Sequence, residues 1–400
     1  MSRLHKSTGC LTAAALLTLV ATGALRASGV GGRIAAFTAS QPATAAATAP
    51  ATHPSLEQQA KELSQELLDH FGEGYRSRID RKRNLVYVVA VDRSTLSYVM
   101  RVLGAYNDAE RKMLFRTPLR WNVAIVMPTL ADFRKLTPTD KAAGFYRQQS
   151  KMLVSVTLGT ALIHEFTHAL HHNDQAAAGQ THAMWVIEGL ASLFQDSSID
   201  AKGKIEIRDG PSLSAAQQAL REGKALTLPQ LLRADAAAFT SSDEICYPQA
   251  RSVLLYLYRM DKLEQFYESY KATYDRDPTG GLALTAATGD NLEQFEANWR
   301  EWVLAQETWQ PPKARAYLGV RMQADEGGVR VTGFARNSPA ARARKIKVGD
   351  VIVSFAGQPT PTPQAVGEAV DSCLPGATVD IEIVRDGKMI VVRQLLGYVR

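Results

Sequence analysis

One pentapeptide constrains this chain more than any other feature. His164-Glu165-Phe166-Thr167-His168 lies inside an apolar, helix-forming run from Thr160 to His172. On a helix, residues four apart sit about 40° apart around the axis and roughly 6 Å along it, so two imidazoles can reach one ion. Glu165 follows the first histidine and points beside the pair, where a carboxylate can act as base on a water held by that ion. The expectation is a zinc site with His164 and His168 as ligands, one Zn2+ per chain, and Glu165 as the general base.

A catalytic zinc takes three protein ligands and keeps one open position. Glu188 is the expected third. It stands twenty residues after His168, in a second apolar helical pattern from Trp185 to Phe194, past a polar loop expected over Asn173–Thr181. His171, His172 and His182 are the alternatives. His171 shares the helix face of His164, yet a straight helix cannot fold three imidazoles around one tetrahedral ion. With Trp185, Glu188, Gly189 and Ala191 following the first motif, the sequence resembles the gluzincin metallopeptidases, and most closely the peptidase MA-like group.

That resemblance implies a mixed-sheet lobe ahead of the zinc helix and a helical lobe after it. Apolar runs at Leu85–Val91, Trp121–Met127 and Lys151–Val156 read as strands, with helices between them. In gluzincins the last strand before the zinc helix forms a cleft edge, so the resemblance makes Met152 and Val154 substrate-binding candidates. Similar families carry Y-x-Q-A, here Tyr247 to Ala250, and a phenol there can stabilise the oxyanion; Tyr247 is the candidate. Pro248 is expected near the first turn of a helix running to Tyr258. Gluzincins often place an acid four residues after the glutamate ligand, but Ser192 stands there, and the residue orienting the histidines is left unassigned. Glycyl aminopeptidases, which carry such a domain, are the runner-up. They typically carry W-N after the second histidine, where this chain has Ala169-Leu170.

The final segment has another texture. Tyr317-Leu318-Gly319-Val320, then Asn337-Ser338-Pro339-Ala340-Ala341, then Gly349-Asp350 ahead of an apolar strand, resemble a PDZ domain of the bacterial, protease-associated kind. A Gly-Asp pair is turn chemistry, and Ser-Pro-Ala-Ala opens a helix. Leu318, Gly319 and Val320 are expected to turn backbone N–H groups toward a peptide's C-terminal carboxylate, the peptide adding as a strand. Because every zinc ligand lies upstream, residues 314–400 read as dispensable for cleaving short peptides.

The ends and the composition complete the division. Residues 1–27 carry Arg3, His5 and Lys6 ahead of an uncharged run from Leu11 to Leu25, the pattern of an export signal. An uncleaved signal would leave a membrane anchor, the one route to membrane contact. Residues 28–55 are an Ala/Thr/Pro-rich linker. Residues 56–310 form the expected zinc metallopeptidase domain and 311–400 the PDZ domain, with Pro311-Pro312 as a hinge. Apolar content of 46% and charged content of 22% are those of a globular chain. The net charge of +6 is spread out, with no Lys/Arg block or basic-aromatic interleaving, which argues against nucleic-acid binding. Cys246 and Cys373 fall in different domains and are expected as free thiols. The overall expectation is an α+β fold and an exported enzyme, periplasmic, cell-envelope or extracellular, acting on peptide or protein substrates. The rival class is a non-catalytic envelope adaptor whose protease fold is a relic; intact His164, Glu165, His168 and Glu188 argue against it.

Overall fold

The computed structural model describes residues 54–91, 93–137, 143–200, 202–308, 315–373 and 377–399. The export signal, nearly all of the linker and the Pro311-Pro312 hinge lie outside them. The first lobe begins with α1 (Leu56–Phe71), capped by the Ser55 side chain accepting from the Gln58 N–H. It continues through β1 (Arg76–Asp80), β2 (Leu85–Val89), α2 (Arg93–Met113), β3 (Val123–Met127), α3 (Leu130–Leu136), β4 (Gly144–Arg147) and β5 (Met152–Ser155). Every residue of β2, β3 and β5 is buried, which is why these strands appear in the sequence as unbroken apolar runs rather than alternations.

The sheet runs β1-β2-β3-β5-β4, parallel across β2, β3 and β5 and antiparallel at both edges. This corrects one expectation. β5 pairs with β3 on one side and β4 on the other, so Met152 and Val154 sit in an interior strand with no free backbone row. The edge beside the next helix is β4, which returns against β5 through a tight turn in which Lys151 takes a φ of 50°.

α4 (Thr160–Ala178) packs on β4 and β5 and carries the histidine motif. It outruns the sequence reading, which placed a loop from Asn173. Both polar residues there are buried with partners. Asn173 Nδ2 donates to the carbonyl of Thr117 at 3.2 Å, and its Oδ1 accepts from the Arg120 N–H at 2.9 Å. Asp174 accepts from Thr117 Oγ1 and Tyr267 Oη, each at 2.9 Å. The helix stops at Gly179, in the left-handed region at φ 68°.

A helical lobe follows. α5 (Met184–Gln195) leads to the β6 (Ser197–Ile199) and β7 (Ile205–Ile207) hairpin. After it come α6 (Pro211–Arg221), α7 (Leu228–Arg233), α8 (Ala236–Ser241), α9 (Asp243–Arg259), α10 (Leu263–Thr273), α11 (Gly281–Thr288) and α12 (Leu292–Ala305). α9 starts earlier than its proline suggested, and Pro248 lies inside it. Phe295 and Trp299 of α12 are fully buried in the core shared by both lobes.

The C-terminal unit comprises β8 (Arg315–Tyr317), β9 (Val320–Asp325), β10 (Gly328–Phe334), α13 (Pro339–Ala343), β11 (Val351–Phe355), β12 (Gln358–Pro359), α14 (Pro363–Asp371), β13 (Thr378–Arg385), β14 (Lys388–Leu395) and β15 (Gly397–Val399). Its main sheet runs β14-β13-β11-β10-β9 over a separate core of Val329, Val331, Ile352, Phe355, Ile381 and Ile383. The turn pair behaves as its chemistry requires. Gly349 takes a φ of 95°, and Asp350 accepts from the Lys347 N–H at 2.7 Å and from Arg385. Cys246 and Cys373 are free thiols. Among the described residues no helix is long and apolar enough to cross a membrane.

Candidate metal centre

α4 and α5 pack against each other and bring His164, His168 and Glu188 together, all three buried. His164 Nε2 and His168 Nε2 are 3.1 Å apart, and each lies 3.4 Å from Glu188 Oε2. Four-coordinate zinc with bonds near 2.0–2.1 Å holds neighbouring ligand atoms about 3.3 Å apart. The triangle has those dimensions. Neither oxygen of Glu188 has a hydrogen-bond partner, and Glu165 Oε2 has none either. Buried carboxylate oxygens left so are costly unless a cation meets them. The donor set, two imidazole nitrogens and a carboxylate oxygen, fits zinc. Among the described residues these three are the group placed to hold an ion.

The electrostatics agree. Burial alone would raise the Glu188 carboxyl, but the two imidazoles outweigh it and hold it down at about 2. Burial disfavours a charged His168, yet Glu188 and Glu165 beside it carry its pKa above the ordinary value. Both directions describe a pocket that favours positive charge against Glu188. Glu165 goes the other way. Burial lifts its carboxyl above the usual range, offset in part by the two histidines and by the main-chain N–H of Tyr146 on β4. That N–H also shows which strand faces the site: the edge strand β4.

A residue that sequence reasoning missed orients the first histidine. Gln195 Oε1 lies 2.9 Å from His164 Nδ1. With Nδ1–H donating there, Nε2 keeps its lone pair for the metal side. Gln195 is seven residues after Glu188, two turns along the same face of α5, and that spacing is the signal that could have found it. Ser192, where an acid was looked for, is buried, and its carbonyl accepts from Arg251 Nε at 3.1 Å. Gly189 has a packing reason. A Cβ there would stand 2.8 Å from Leu254 Cδ1 and 3.2 Å from the Ala250 carbonyl oxygen, so α9 reaches α5 closely only over a glycine.

The other histidines are engaged elsewhere. His171 Nε2 meets His182 Nδ1 at 2.8 Å, and its ring stacks on Phe115. His172 Nδ1 meets Tyr146 Oη at 3.0 Å. Burial holds His172 and His182 at about 4, neutral at physiological pH. His171 and His182 are buried and His172 is half-buried.

Tyr247 is half-buried on α9, edge-on to Phe239 at 5.5 Å. It lies one turn before Ala250, whose carbonyl oxygen would stand 3.2 Å from a Cβ at Gly189, the residue after Glu188. In the C-terminal unit, Leu318 is buried between β8 and β9, and Gly319 takes a φ of 76°, where a Cβ would overlap Ser338. Val320 opens β9, the outermost strand of its sheet, with α14 packed alongside. The PDZ domain family matches residues 316–393. The C-terminal unit is a PDZ domain.

Ahead of the PDZ domain, a protein family of unknown function, DUF1570, matches residues 159–280, a span holding both α4 and α5. No curated protein matches the chain. Among solved structures, an aminopeptidase N family protein from Idiomarina loihiensis is similar over 81% of this chain and 66% of its own, at 12% identity and a TM-score of 0.35. An HtrA-type protease with a decapeptide is similar over 22% of this chain and 30% of its own, at 25% identity and a TM-score of 0.21. The HtrA3 PDZ domain bound to a phage-derived ligand is similar over 22% of this chain and 88% of its own, at 24% identity and a TM-score of 0.19. This chain spans about a third of the length of the HtrA-type proteases that it matches.

Proposed function

We propose that this chain is an exported zinc peptidase of gluzincin type that carries a PDZ domain. One observation carries the reading. It is the triangle of His164 Nε2, His168 Nε2 and Glu188 Oε2, with sides of 3.1, 3.4 and 3.4 Å, beside the buried Glu165. Those three atoms would hold the ion. Bound there, zinc supplies a Lewis acid that polarises the scissile carbonyl and lowers the pKa of a water.

The chain's own residues do the rest. Glu165 takes the proton of the attacking water and passes it to the departing amine nitrogen. Its burial raises its carboxyl, which makes it a stronger proton acceptor than an exposed glutamate. Gln195 keeps the proton of His164 on Nδ1, away from the ligand side. Tyr247 donates its phenol O–H to the developing oxyanion. An extended substrate pairs with the free edge of β4, in place of the interior Met152 and Val154, because β4 is the edge that abuts Glu165.

Leu318, Gly319 and Val320 receive a peptide or protein C-terminus at the head of β9. Arg3, His5 and Lys6 ahead of the uncharged Leu11–Leu25 run support export. The test is metal analysis of the purified chain together with digestion of casein or a peptide library. The expected result is one zinc per chain, with cleavage stopped by a chelator and restored by zinc. A chain without zinc would overturn the reading. Full zinc without turnover of any unfolded protein would favour the peptide-binding adaptor.

A further inference from the structure

The PDZ sheet has two faces, and one of them encloses its own core. Along β13, Ile381 and Ile383 point into that core, and Glu382 points the opposite way. β14 divides likewise. Ile390 and Val392 pack inside, whereas Met389 and Val391 belong to the hydrophobic core of the preceding lobes. The outward face is therefore docked. The Val391 N–H donates to Thr95 Oγ1 at 3.3 Å, and Met389 forms a bridge with Val91.

The contact is tightest where the metal-binding helix begins. Glu382, 2% exposed, accepts the main-chain N–H of Leu158. Thr160 Oγ1 donates to the Gly357 carbonyl at 3.0 Å. A Cβ at Gly159 would fall 2.0 Å from Gly357 Cα, so the two backbones touch. Gly357 takes a φ of 81°, in the turn after β11. Gly159, the residue that precedes α4, has no side chain with which to cap the helix. The helix start is fixed from the PDZ side, and His164 lies one turn further on. Docking engages β13, β14 and the β11 turn, and Arg134 of α3 adds an ion pair at 2.7 Å to Glu326 in the turn after β9.

We propose that Glu382, with the Gly357 turn, is a positioning residue for the metal-binding helix, so that hydrolysis depends on the docked PDZ domain even for peptides that never enter its groove. The catalytic half of this statement rests on the peptidase reading above; the docking half does not. A displacement near 1 Å transmitted along a rigid helix can cost up to about 10²-fold in rate. Removing the carboxyl would strand a buried N–H, which favours such a displacement. Burial pushes the Glu382 carboxyl up to about 8, so it is neutral at pH 7 and glutamine reproduces both its shape and its acceptor.

The experiment compares Glu382→Gln and Glu382→Leu in the full chain. Cleavage of a short, C-terminally amidated peptide reads kcat and KM. Amide hydrogen exchange over residues 156–166 reads docking without any turnover. Glu382→Leu is expected to lower kcat about tenfold or more with KM little changed, and to speed exchange at the helix start. Glu382→Gln is expected to restore both. Should Glu382→Leu fail to fold, Thr160→Val removes the bond to Gly357 with little change of shape and is expected to shift both readouts the same way. Parent-like kcat and exchange in a folded Glu382→Leu, or in Thr160→Val, would overturn the proposal; so would Glu382→Gln behaving like Glu382→Leu. A parent without any turnover would sink the peptidase reading, and the exchange data would still decide the docking.

Discussion

His164 Nδ1 lies 2.9 Å from Gln195 Oε1, which ties the first histidine of α4 to the last residue of α5. Glu188 sits on that same α5, so one helix would supply both a ligand and the group that orients another ligand. Moving α5 would disturb both at once.

Gln195→Leu is expected to weaken zinc binding about 10- to 100-fold, the usual cost of losing a group that orients a metal ligand. Competition against a chelator of known affinity measures it. Gln195→Glu keeps an acceptor facing Nδ1 and is expected to retain affinity. Unchanged affinity in the leucine variant would remove Gln195 from this role.

Glu188→Ala should strip the zinc, since the carboxylate is the one ligand from outside α4. His171→Ala should keep it, because His171 Nε2 is engaged by His182. That variant is instead expected to lose about 2–4 kcal/mol of stability, as a large buried side chain is removed from beside Phe115. Metal content and urea unfolding of the two variants separate these outcomes. Zinc loss in His171→Ala with zinc retained in Glu188→Ala would move the third ligand.

Glu382 gives a pH dependence with a definite sign. Its carboxyl stands at about 8 when folded against an ordinary 4.5. Below the lower value both states hold the proton and the stabilisation is complete. Between the two values the unfolded chain releases a proton that the folded chain keeps. Stability therefore falls as pH rises, at up to about 1.4 kcal/mol per pH unit, and the loss is complete above the folded value. Thermal melts from pH 5 to 9 should show the parent declining more steeply than Glu382→Gln. Parallel curves would mean that Glu382 is ionised in the folded protein.

The chain is expected to bind peptides that end in a free apolar residue with roughly micromolar affinity, through strand addition at β9. Amidating the peptide's C-terminus should weaken binding, which calorimetry would read. Equal affinity for amidated peptides would remove Leu318, Gly319 and Val320 from the carboxylate role.

The parts of this fold that obey a single periodicity were legible in the sequence. The apolar runs of β2, β3 and β5 and the helices α4 and α5 follow from burial on both faces or on one stripe. What was not legible depends on tertiary partners. β4 is four residues long and looks like a lead-in to β5, so the edge was assigned one strand too far inward. Asn173 and Asp174 look like loop residues until Thr117, Arg120 and Tyr267 are seen to satisfy them. Gln195 has no motif of its own and becomes visible only on the face shared with Glu188. Glu382 alternates with Ile381 and Ile383, as an acid on a solvated strand face would, and only docking buries it. The proposed role of Glu382 predicts the opposite of the expectation that residues 314–400 are dispensable for short peptides.

The most direct test of the central claim is zinc content and turnover measured together on Glu165→Gln. Glu165 is base and not ligand in this account, so the variant should carry one zinc per chain, like the parent, and lose at least about 10³-fold in kcat. Zinc lost along with activity, or turnover that survives the substitution, would contradict it.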